Sequence, residues 1–154
     1  MPRRSAGILL HRRGAAGLEV LLVHPGGPFW AKKDAGAWSI PKGGCEEGED
    51  PYAAARREFA EEIGTPPPDG EVVELGEVRQ KAGKIVIAWG VAGDLDPEQI
   101  SSNTFTMEWP PRSGRTREFP EVDRARWFDL AQARERINPA QVALLDRLQA
   151  AVGE

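Results

Sequence analysis

The feature that most constrains this chain is a cluster of glutamates inside one segment with the pattern of a helix. The segment runs between Asp50 and Gly64 and places Glu58, Glu61 and Glu62 close together. Residues three and four apart share a helix face, so the three carboxylates repel one another. Such a cluster is typical of a site for a hard cation, and Mg²⁺ binds carboxylates together with substrate phosphates. A solvated helix face is the alternative interpretation.

Signals at both ends of the segment predict a helix. Asp50 is a favourable N-cap residue, and Pro51 suits the first helical position. Gly64 suits the left-handed position after the last turn, and the prolines at 66–68 prevent continuation. Apolar residues recur at three- and four-residue steps and predict a stripe that packs on a core: Tyr52, Ala55, Phe59 and Ile63. Packing of this stripe would hold the carboxylates rigidly.

A glycine-rich loop, Pro41-Lys42-Gly43-Gly44, precedes the helix and lets backbone groups approach a metal or a phosphate closely. From Gly43 to Thr65 the chain reads GGCEEGEDPYAAARREFAEEIGT. This run resembles the signature of the Nudix family, G-x5-E-x7-R-E-U-x-E-E-x-G-U, where U is a bulky apolar residue. Thr65 departs from that signature, but it is β-branched and lies at the helix exit, so we expect packing to tolerate it.

The resemblance implies a divalent metal, Mg²⁺ with Mn²⁺ as a substitute. It implies that the metal ligands are Gly43, Glu58, Glu61 and Glu62. It also implies that Arg57 and Glu49 brace the loop and the helix and so orient the carboxylates. A structural salt bridge between Arg57 and Glu49 is the preferred interpretation with or without the resemblance, because the brace is itself a salt bridge.

The order of elements resembles that of Nudix domains over nearly the whole chain. The implied fold is α/β, a Nudix-type α/β/α sandwich with a mixed β-sheet, in one domain over residues 1–154. The predicted strands are 5–11, 18–24, 38–40, 71–79, 84–92 and 127–130, the first two joined as a hairpin. A helical turn follows 127–130, and an amphipathic helix at 140–152 closes the chain. Residues 94–121 are predicted to be mostly irregular, as a lid, a specificity loop or a dimer contact.

The reaction implied by the resemblance is attack of water on a pyrophosphate bond of a nucleoside diphosphate linked to another group. A carboxylate takes the proton from water. Glu58, Glu62 or a glutamate of the late loop is a candidate. Glu121 lies five residues before Arg126, a spacing that resembles the loop glutamate of diadenosine tetraphosphate hydrolases. Glu118 is a second candidate, and a surface carboxylate is the alternative for both.

The substrate is predicted from a further resemblance to that branch. Its motifs resemble WSIPKGG at 38–44 and the lysine and tryptophan around 84–89. The implied substrate-binding residues are Lys42, Lys84 and Trp38. Lys33 is a further candidate because it belongs to a basic rim that suits a polyphosphate chain, with ordinary surface charge as the alternative. Ala88 departs from the branch, which has a tyrosine there that is associated with base stacking. Either Trp30 or Trp109 contacts the base instead, or the substrate differs.

The first hypothesis is a Mg²⁺-dependent pyrophosphohydrolase acting on a dinucleoside polyphosphate or a related nucleotide. The alternatives are a nucleoside triphosphate or RNA 5′-end pyrophosphohydrolase, and a non-catalytic nucleotide-sensing module. The RNA-end branch usually has glutamine where Lys42 stands, which disfavours that option. A sensor typically loses some of the signature carboxylates, and this chain keeps them all.

The net charge and the single cysteine limit the possible functions further. A net charge of −4 argues against a general nucleic-acid-binding protein, so the predicted partner is a nucleotide polyphosphate, with an RNA 5′ end as the nucleic-acid exception. The single cysteine, Cys45, excludes an internal disulfide and is interpreted as a bystander rather than a nucleophile. We expect no membrane segment, no targeting signal, a cytoplasmic location, and a monomer or homodimer.

Overall fold

The computed structural model describes residues 4–15 and 17–153, which form eight strands and three α-helices. The strands are β1 (Arg4–Gly14), β2 (Gly17–Pro25), β3 (Lys42–Gly44), β4 (Val72–Arg79), β5 (Ile85–Ala92), β6 (Thr104–Glu108), β7 (Thr116–Pro120) and β8 (Val122–Asp129). The helices are α1 (Pro51–Ile63), α2 (Leu130–Arg136) and α3 (Val142–Val152), with 3₁₀ turns at Lys81–Gly83, Pro97–Gln99 and Pro139–Gln141.

A mixed sheet in the order β4-β5-β1-β2-β8 lies at the centre, with β3 paired to β1. β1 is parallel to β5 and antiparallel to β2, which confirms the predicted hairpin. The predicted pair β4–β5 is also present and antiparallel. Because Lys42 of β3 pairs with Gly7 of β1, the glycine-rich loop is fixed to the central strand. The predicted α/β fold with a mixed sheet and helices on both faces is confirmed.

The sheet separates two apolar cores because side chains alternate between its faces along each strand. In β1, Ile8 and Leu10 pack in the core that contains Phe59 of α1. Leu9 belongs to the other core, with Leu145 of α3. Helix α1 is therefore held against one face of the sheet by its buried stripe.

The caps of α1 are those that the sequence predicts. Asp50 accepts a hydrogen bond from the Ala53 backbone N–H at 3.0 Å. Gly64 ends the helix with φ of +93°, and its N–H donates to the Ala60 carbonyl. A residue with a side chain would be strained at this φ, so glycine is required for the exit.

Three predictions of secondary structure were wrong. Residues 94–121 are not mostly irregular, because β6 and β7 form a separate two-stranded antiparallel sheet. Residues 38–40 make only isolated bridges, and the strand that pairs with β1 is β3. The strand predicted at 127–130 begins at Val122 and pairs with β2 along its length, and the turn after it is the helix α2.

The closing helix is confirmed, with α3 beginning at Val142 after a 3₁₀ turn rather than at residue 140. Within the described residues, no helix combines the length and the apolar character needed to cross a membrane. The expectation about targeting signals involves residues 1–3, which lie outside the described residues. The single domain over 1–154 and the cytoplasmic location stay predictions.

Candidate active site

Arg57 lies at the centre of an ion-pair network beside the glycine-rich loop. Its guanidinium donates two hydrogen bonds of 3.0 Å to the two oxygens of Glu49 and one of 2.7 Å to Glu58. It also donates to the Gly44 carbonyl at 3.0 Å and lies 3.5 Å from Glu61. The hydrogen bonds from Arg57 lower the pKa of Glu49. The predicted Arg57–Glu49 pair is present, and it connects the loop to α1.

Glu58 and Glu62 lie on the side of α1 that meets β3. Gly43 is so close that a Cβ added to it would lie 1.9 Å from Oε1 of Glu58. Glu62 accepts a hydrogen bond from the Lys42 backbone N–H at 3.3 Å. Burial raises the pKa of Glu58 and raises the pKa of Glu62 to about 8. The negative charge of Glu121 raises both further, so Glu121 faces the same site.

The donor atoms of this site suit a divalent cation, but the present positions of the side chains do not. Within residues 4–15 and 17–153, no three His, Cys, Asp or Glu side chains are arranged to hold a metal ion. The predicted convergence of three carboxylates is thus not seen, because Glu58 and Glu61 point to Arg57 instead. The donors are nevertheless carboxylate oxygens in a partly buried site, where burial disfavours the charged form. A hard cation would stabilise that form.

Lys42 brings positive charge to the acidic group and lines two neighbouring cavities. The first, which we name the inner pocket, has a volume of about 240 Å³ and is lined among others by Trp30, Glu62, Gln80, Glu121 and Gln141. The second, which we name the basin, has a volume of about 800 Å³ and is lined among others by Arg4, Glu49 and Lys84. Burial lowers the pKa of Lys42, and the charge of Lys84 adds to this effect. Acidic and basic groups therefore meet at Lys42.

Two predicted substrate contacts occupy other positions. Trp38 is fully buried, packs against His24 and Phe128, and donates its indole N–H to Asp34 at 2.7 Å. The structure therefore corrects the prediction for Trp38, because a ring enclosed in the core cannot contact substrate. Lys33 is exposed, and its ammonium lies 3.7 Å from the centre of the Phe29 ring.

The remaining candidates divide between the site and its surroundings. Lys84 is exposed at the rim of the basin. Glu118 is exposed on β7, and Trp109 lies in the turn that follows β6. Cys45 lines the basin, where its thiol lies against the carbonyl oxygens of Glu46 and Glu49. A carbonyl oxygen cannot act as a base toward a thiol, which agrees with the bystander interpretation of Cys45.

Sequence reasoning missed a buried amide at the floor of the inner pocket. Gln141 is fully buried, donates to Gln80 at 2.8 Å and to Ser39 at 3.0 Å, and accepts from the Ile40 backbone N–H at 3.1 Å. These partners lie far from Gln141 in the sequence, and Gln141 and Ser39 are separated by 102 positions. A local pattern cannot reveal such a contact.

His24 is a second residue that the sequence does not single out. It is fully buried and bridges the Asp123 carboxylate at 2.9 Å and the Lys33 carbonyl at 2.6 Å. This bridge connects the end of β2 and the start of β8 to the loop that carries Phe29 and Trp30. The loop beside the inner pocket is therefore fixed at its far end.

Comparison with known proteins assigns the family. The NUDIX domain family model matches residues 1–148. A curated RNA pyrophosphohydrolase from Roseobacter denitrificans is 33% identical over 128 residues, which cover 74% of this chain and 76% of the relative. One from Vibrio atlanticus is 36% identical over 73 residues, which cover 46% of this chain and 42% of that relative, less than half its length. The chain belongs to the Nudix hydrolase family.

Solved structures show the same fold at low sequence identity. An Ap4A hydrolase from C. elegans, in a binary complex, superposes with a TM-score of 0.67 at 21% identity, covering 97% of this chain and 98% of that one. The NUDIX domain of NrtR from Shewanella oneidensis, complexed with ADP ribose, gives a TM-score of 0.69 at 17% identity, covering 99% and 89%. At these identities the likeness concerns the fold.

Proposed function

We propose that the protein is a Mg²⁺-dependent pyrophosphohydrolase that cleaves a phosphoanhydride bond in a nucleotide polyphosphate. The observation that carries this proposal is the acidic group of Glu58 and Glu62 on α1, next to Gly43 and facing the basic side of the pocket at Lys42. A site for phosphoryl transfer needs positive charge for the phosphate oxygens and a carboxylate that accepts a proton from water. Both are present around the inner pocket.

The metal ligands in this proposal are Glu58, Glu61 and Glu62 with the carbonyl of Gly43. Bound Mg²⁺, or Mn²⁺ in its place, would neutralise charge on the phosphate oxygens and polarise the phosphoryl group. Ligation requires Glu58 and Glu61 to turn away from Arg57, which then remains paired with Glu49. That bidentate pair keeps the loop in register with α1 while the two carboxylates reorient.

The other side chains bind phosphate and move the proton. Lys42 and Lys84 neutralise the phosphate chain from the basin. Glu62 and Glu121 both line the inner pocket and are the candidates to take the proton from the attacking water. Glu121 is the better candidate, because Glu62 is a proposed metal ligand and a bound cation would lower the pKa that burial raises in the protein without metal.

Two substrate classes have support, and in both a chain of phosphates is attached to the 5′ oxygen of a nucleoside. Dinucleoside polyphosphates are favoured by Lys42 and Lys84, which match the motifs of diadenosine tetraphosphate hydrolases. RNA 5′ ends are favoured by the curated relatives from Roseobacter denitrificans and Vibrio atlanticus, which are named RNA pyrophosphohydrolases. A nucleotide-sensing module is disfavoured because every signature carboxylate is retained. A monomer or homodimer and a cytoplasmic location complete the proposal.

The test is hydrolysis with Mg²⁺ of nucleoside triphosphates, diadenosine polyphosphates, ADP-ribose, sugar nucleotides and 5′-triphosphate RNA. The Glu61→Gln/Glu62→Gln variant should lose at least 100-fold in kcat, since charge on the carboxylates is required. A matched control, Glu98→Gln/Glu135→Gln, changes two exposed glutamates of the turn after β5 and of α2 and should retain activity. Selective cleavage of one class that is lost in the first variant supports the proposal. Failure of the folded protein to cleave any of these compounds contradicts it.

A further inference from the structure

Gln80 directly follows β4, at the turn that joins β4 to β5, and it lines two cavities. Its backbone N–H donates to the Lys84 carbonyl at 2.7 Å, which closes the turn. One of the cavities is the inner pocket. The other, which we name the lysine cleft, has a volume of about 460 Å³ and is lined among others by Trp30, Lys81, Lys84 and Asn138. Because Trp30, Gln80 and Asn138 line both cavities, Gln80 lies where the two meet.

The lysine cleft has the charge of a site for an anion. Its described lining contains the two lysines Lys81 and Lys84 and no carboxylate. Lys84 also lines the basin, so the positive charge continues from one cavity into the other. A phosphate chain that extends from Lys42 in the inner pocket into the lysine cleft passes Gln80, since Gln80 lines both cavities.

The hydrogen bonds of Gln141 determine which way the amide of Gln80 points. The Ile40 backbone N–H can only donate, so the Gln141 atom that lies 3.1 Å from it is the side-chain oxygen. The amide nitrogen of Gln141 then donates one hydrogen to Ser39 at 3.0 Å and the other to the side-chain oxygen of Gln80 at 2.8 Å. The oxygen of Gln80 is therefore turned toward Gln141, and its NH₂ group is turned away.

This NH₂ group is a hydrogen-bond donor without an acceptor. Within residues 4–15 and 17–153, the side chain of Gln80 makes its one hydrogen bond through its oxygen. The side chain is half-buried, so the donor remains accessible from the cavities that it lines. Phosphate oxygens are acceptors, and hydrogen bonds to charged acceptors are stronger than those between neutral groups.

We propose that the side-chain NH₂ group of Gln80 donates a hydrogen bond to a phosphate oxygen of the substrate, and that Gln141 is the positioning residue that orients this group. The inference rests on the proposed function and adds a neutral, directional donor to the charges of Lys42 and Lys84. The alternative is a structural contact, in which Gln80 serves only as the acceptor that completes the hydrogen bonds of the buried Gln141.

The test is calorimetric binding of inorganic tripolyphosphate, in the presence of EDTA, to wild type, Gln80→Ala and Gln80→Glu. Gln80→Ala should bind roughly tenfold more weakly, because a hydrogen bond to a charged group is lost. Gln80→Glu keeps the oxygen that Gln141 uses but replaces the donor by an anionic oxygen, so it should bind at least as weakly as Gln80→Ala. The matched controls are Gln99→Ala and Gln99→Glu, at an exposed glutamine outside the described lining of both cavities. They should not change the affinity.

Both variants of Gln80 must lose affinity for the proposal to stand. Wild-type affinity in Gln80→Glu, together with a loss in Gln80→Ala, would show that Gln80 acts only as the acceptor for Gln141. Wild-type affinity in Gln80→Ala, together with a loss in Gln80→Glu, would show that added negative charge is the whole effect. Either result overturns the proposal.

A double-mutant cycle tests the role of Gln141. Gln141→Met keeps the length of the side chain but has no donor for Gln80, so the affinity for tripolyphosphate should fall. In the Gln80→Ala background the same change should have no further effect, because the amide that it orients is absent. An equal loss in both backgrounds overturns the assignment of Gln141 as a positioning residue. Gln141→Glu, which still accepts from Ile40 but has no amide hydrogens, is the second variant for the cycle, and the Gln80 variants decide the phosphate contact independently of both.

Kinetics distinguish failure of this inference from failure of the proposed function. In hydrolysis of the preferred substrate, Gln80→Ala should raise KM and leave kcat within about threefold, since a contact made equally in the ground state and the transition state affects binding alone. A protein that hydrolyses no polyphosphate but loses tripolyphosphate affinity in both Gln80 variants has the phosphate contact without the proposed activity. A protein that hydrolyses a nucleotide with the same KM in wild type and Gln80→Ala has the activity without this contact, which overturns the inference alone.

Discussion

The segment from Lys42 to Ile63 and the hairpin from Thr104 to Pro120 flank neighbouring cavities but are built in different ways. The first is packed on the central sheet through buried Phe59 and stabilised by the ion pairs of Arg57. The second forms its own two-stranded sheet, and most of its residues are exposed. The acidic side of the site is therefore held rigidly by the core, whereas the hairpin can vary without disturbing it.

The attachment of the hairpin supports this distinction. Its base is connected to the end of α1 by backbone hydrogen bonds from Ser101 to the Ile63 carbonyl at 2.8 Å and from Asn103 to the Glu61 carbonyl at 2.9 Å. Phe105 and Phe119 contact each other across the two strands, with ring centres 6.0 Å apart. Beyond these rings the hairpin is held mainly by its own ladder and by Glu108, which accepts from the backbone of the turn. We predict that changes in the two segments have separable effects.

The largest effect is expected from Gly43→Ala. The new Cβ would lie 1.9 Å from Oε1 of Glu58 and would displace this carboxylate. A misplacement of about 1 Å in a catalytic group can cost on the order of 100-fold in rate, and we expect at least that loss in kcat. The matched control is Gly44→Ala, because a Cβ there meets no atom within 4 Å among the described residues. Equal activity of the two variants in steady-state kinetics would show that the close approach is unimportant.

The next effect is expected from Arg57→Ala. Removal of the guanidinium leaves Glu49 with only the Glu46 backbone N–H as a donor among the described residues and takes the Arg57 hydrogen bond from Glu58, and we expect a loss of about 2 kcal/mol in the free energy of unfolding because the network is partly exposed. For a chain of this size that loss lowers the melting temperature by roughly 4–8 °C. Arg56→Ala is the control, since Arg56 makes no ion pair within the described residues. Calorimetry that finds the two variants equally stable would contradict the bracing role.

Shortening the hairpin should affect recognition more than stability. Replacement of the tip, residues 108–116, by a two-residue Asn-Gly turn keeps Phe105, Met107 and Phe119 but removes the far end of the ladder. We expect the melting temperature to change by less than about 2 °C, since surface changes usually stay within about 0.5 kcal/mol. KM should rise because the deletion removes the positive charges of Arg112 and Arg115, which attract a polyanionic substrate, and kcat should stay within about threefold. A fall in kcat at constant KM would show that the tip contributes to catalysis rather than to substrate binding.

The smallest effect concerns His11, which lies in β1 beyond the part of the strand that pairs with the glycine-rich loop. Its Nε2 is buried and has no hydrogen-bond partner within residues 4–15 and 17–153. Burial lowers the pKa of His11, and the charge of Arg13 adds to this, while Glu71 opposes it. Below about pH 6.5 the unfolded chain therefore binds a proton that the folded protein does not, so the free energy of unfolding decreases as the pH falls.

Replacement of His11 by leucine removes this titration. Between pH 7.5 and pH 5.5 we expect wild type to lose more stability than His11→Leu, because the unfolded wild-type chain binds a proton at His11 in this range and leucine has no group that titrates. Denaturant unfolding at the two pH values measures the difference, and other titrating groups cancel in the comparison. Parallel losses in the two proteins would show that His11 is not held in its neutral form.

Local sequence signals were sufficient to predict α1 but not the hairpin of β6 and β7. The caps Asp50 and Gly64 act within one turn of the helix, so sequence alone predicts both ends correctly. In β6, Phe105 and Met107 alternate with threonine and glutamate, which is a strand pattern. The prolines and glycine of residues 110–114 conceal it, because they are typical of an irregular loop and here form the tip of a hairpin.

The site was predicted in part, for a similar reason. The signature residues Glu49 and Arg57 lie eight positions apart and form the expected ion pair. Trp38 belongs to a motif, but a motif does not determine toward which side a ring points, and this ring is enclosed in the core. Gln141 and His24 act through partners that lie 102 and 99 positions away, so no local pattern identifies them.

The proposed hydrolysis depends on a metal ion held by the carboxylates of α1. The most direct measurement is a titration of Mn²⁺ by electron paramagnetic resonance with wild type, Glu58→Gln/Glu62→Gln and Glu98→Gln/Glu135→Gln. We expect at least tenfold weaker Mn²⁺ binding in Glu58→Gln/Glu62→Gln, because two charged oxygen donors are lost. We expect unchanged affinity in Glu98→Gln/Glu135→Gln. Equal affinity in all three proteins would contradict the assignment of the metal site to α1.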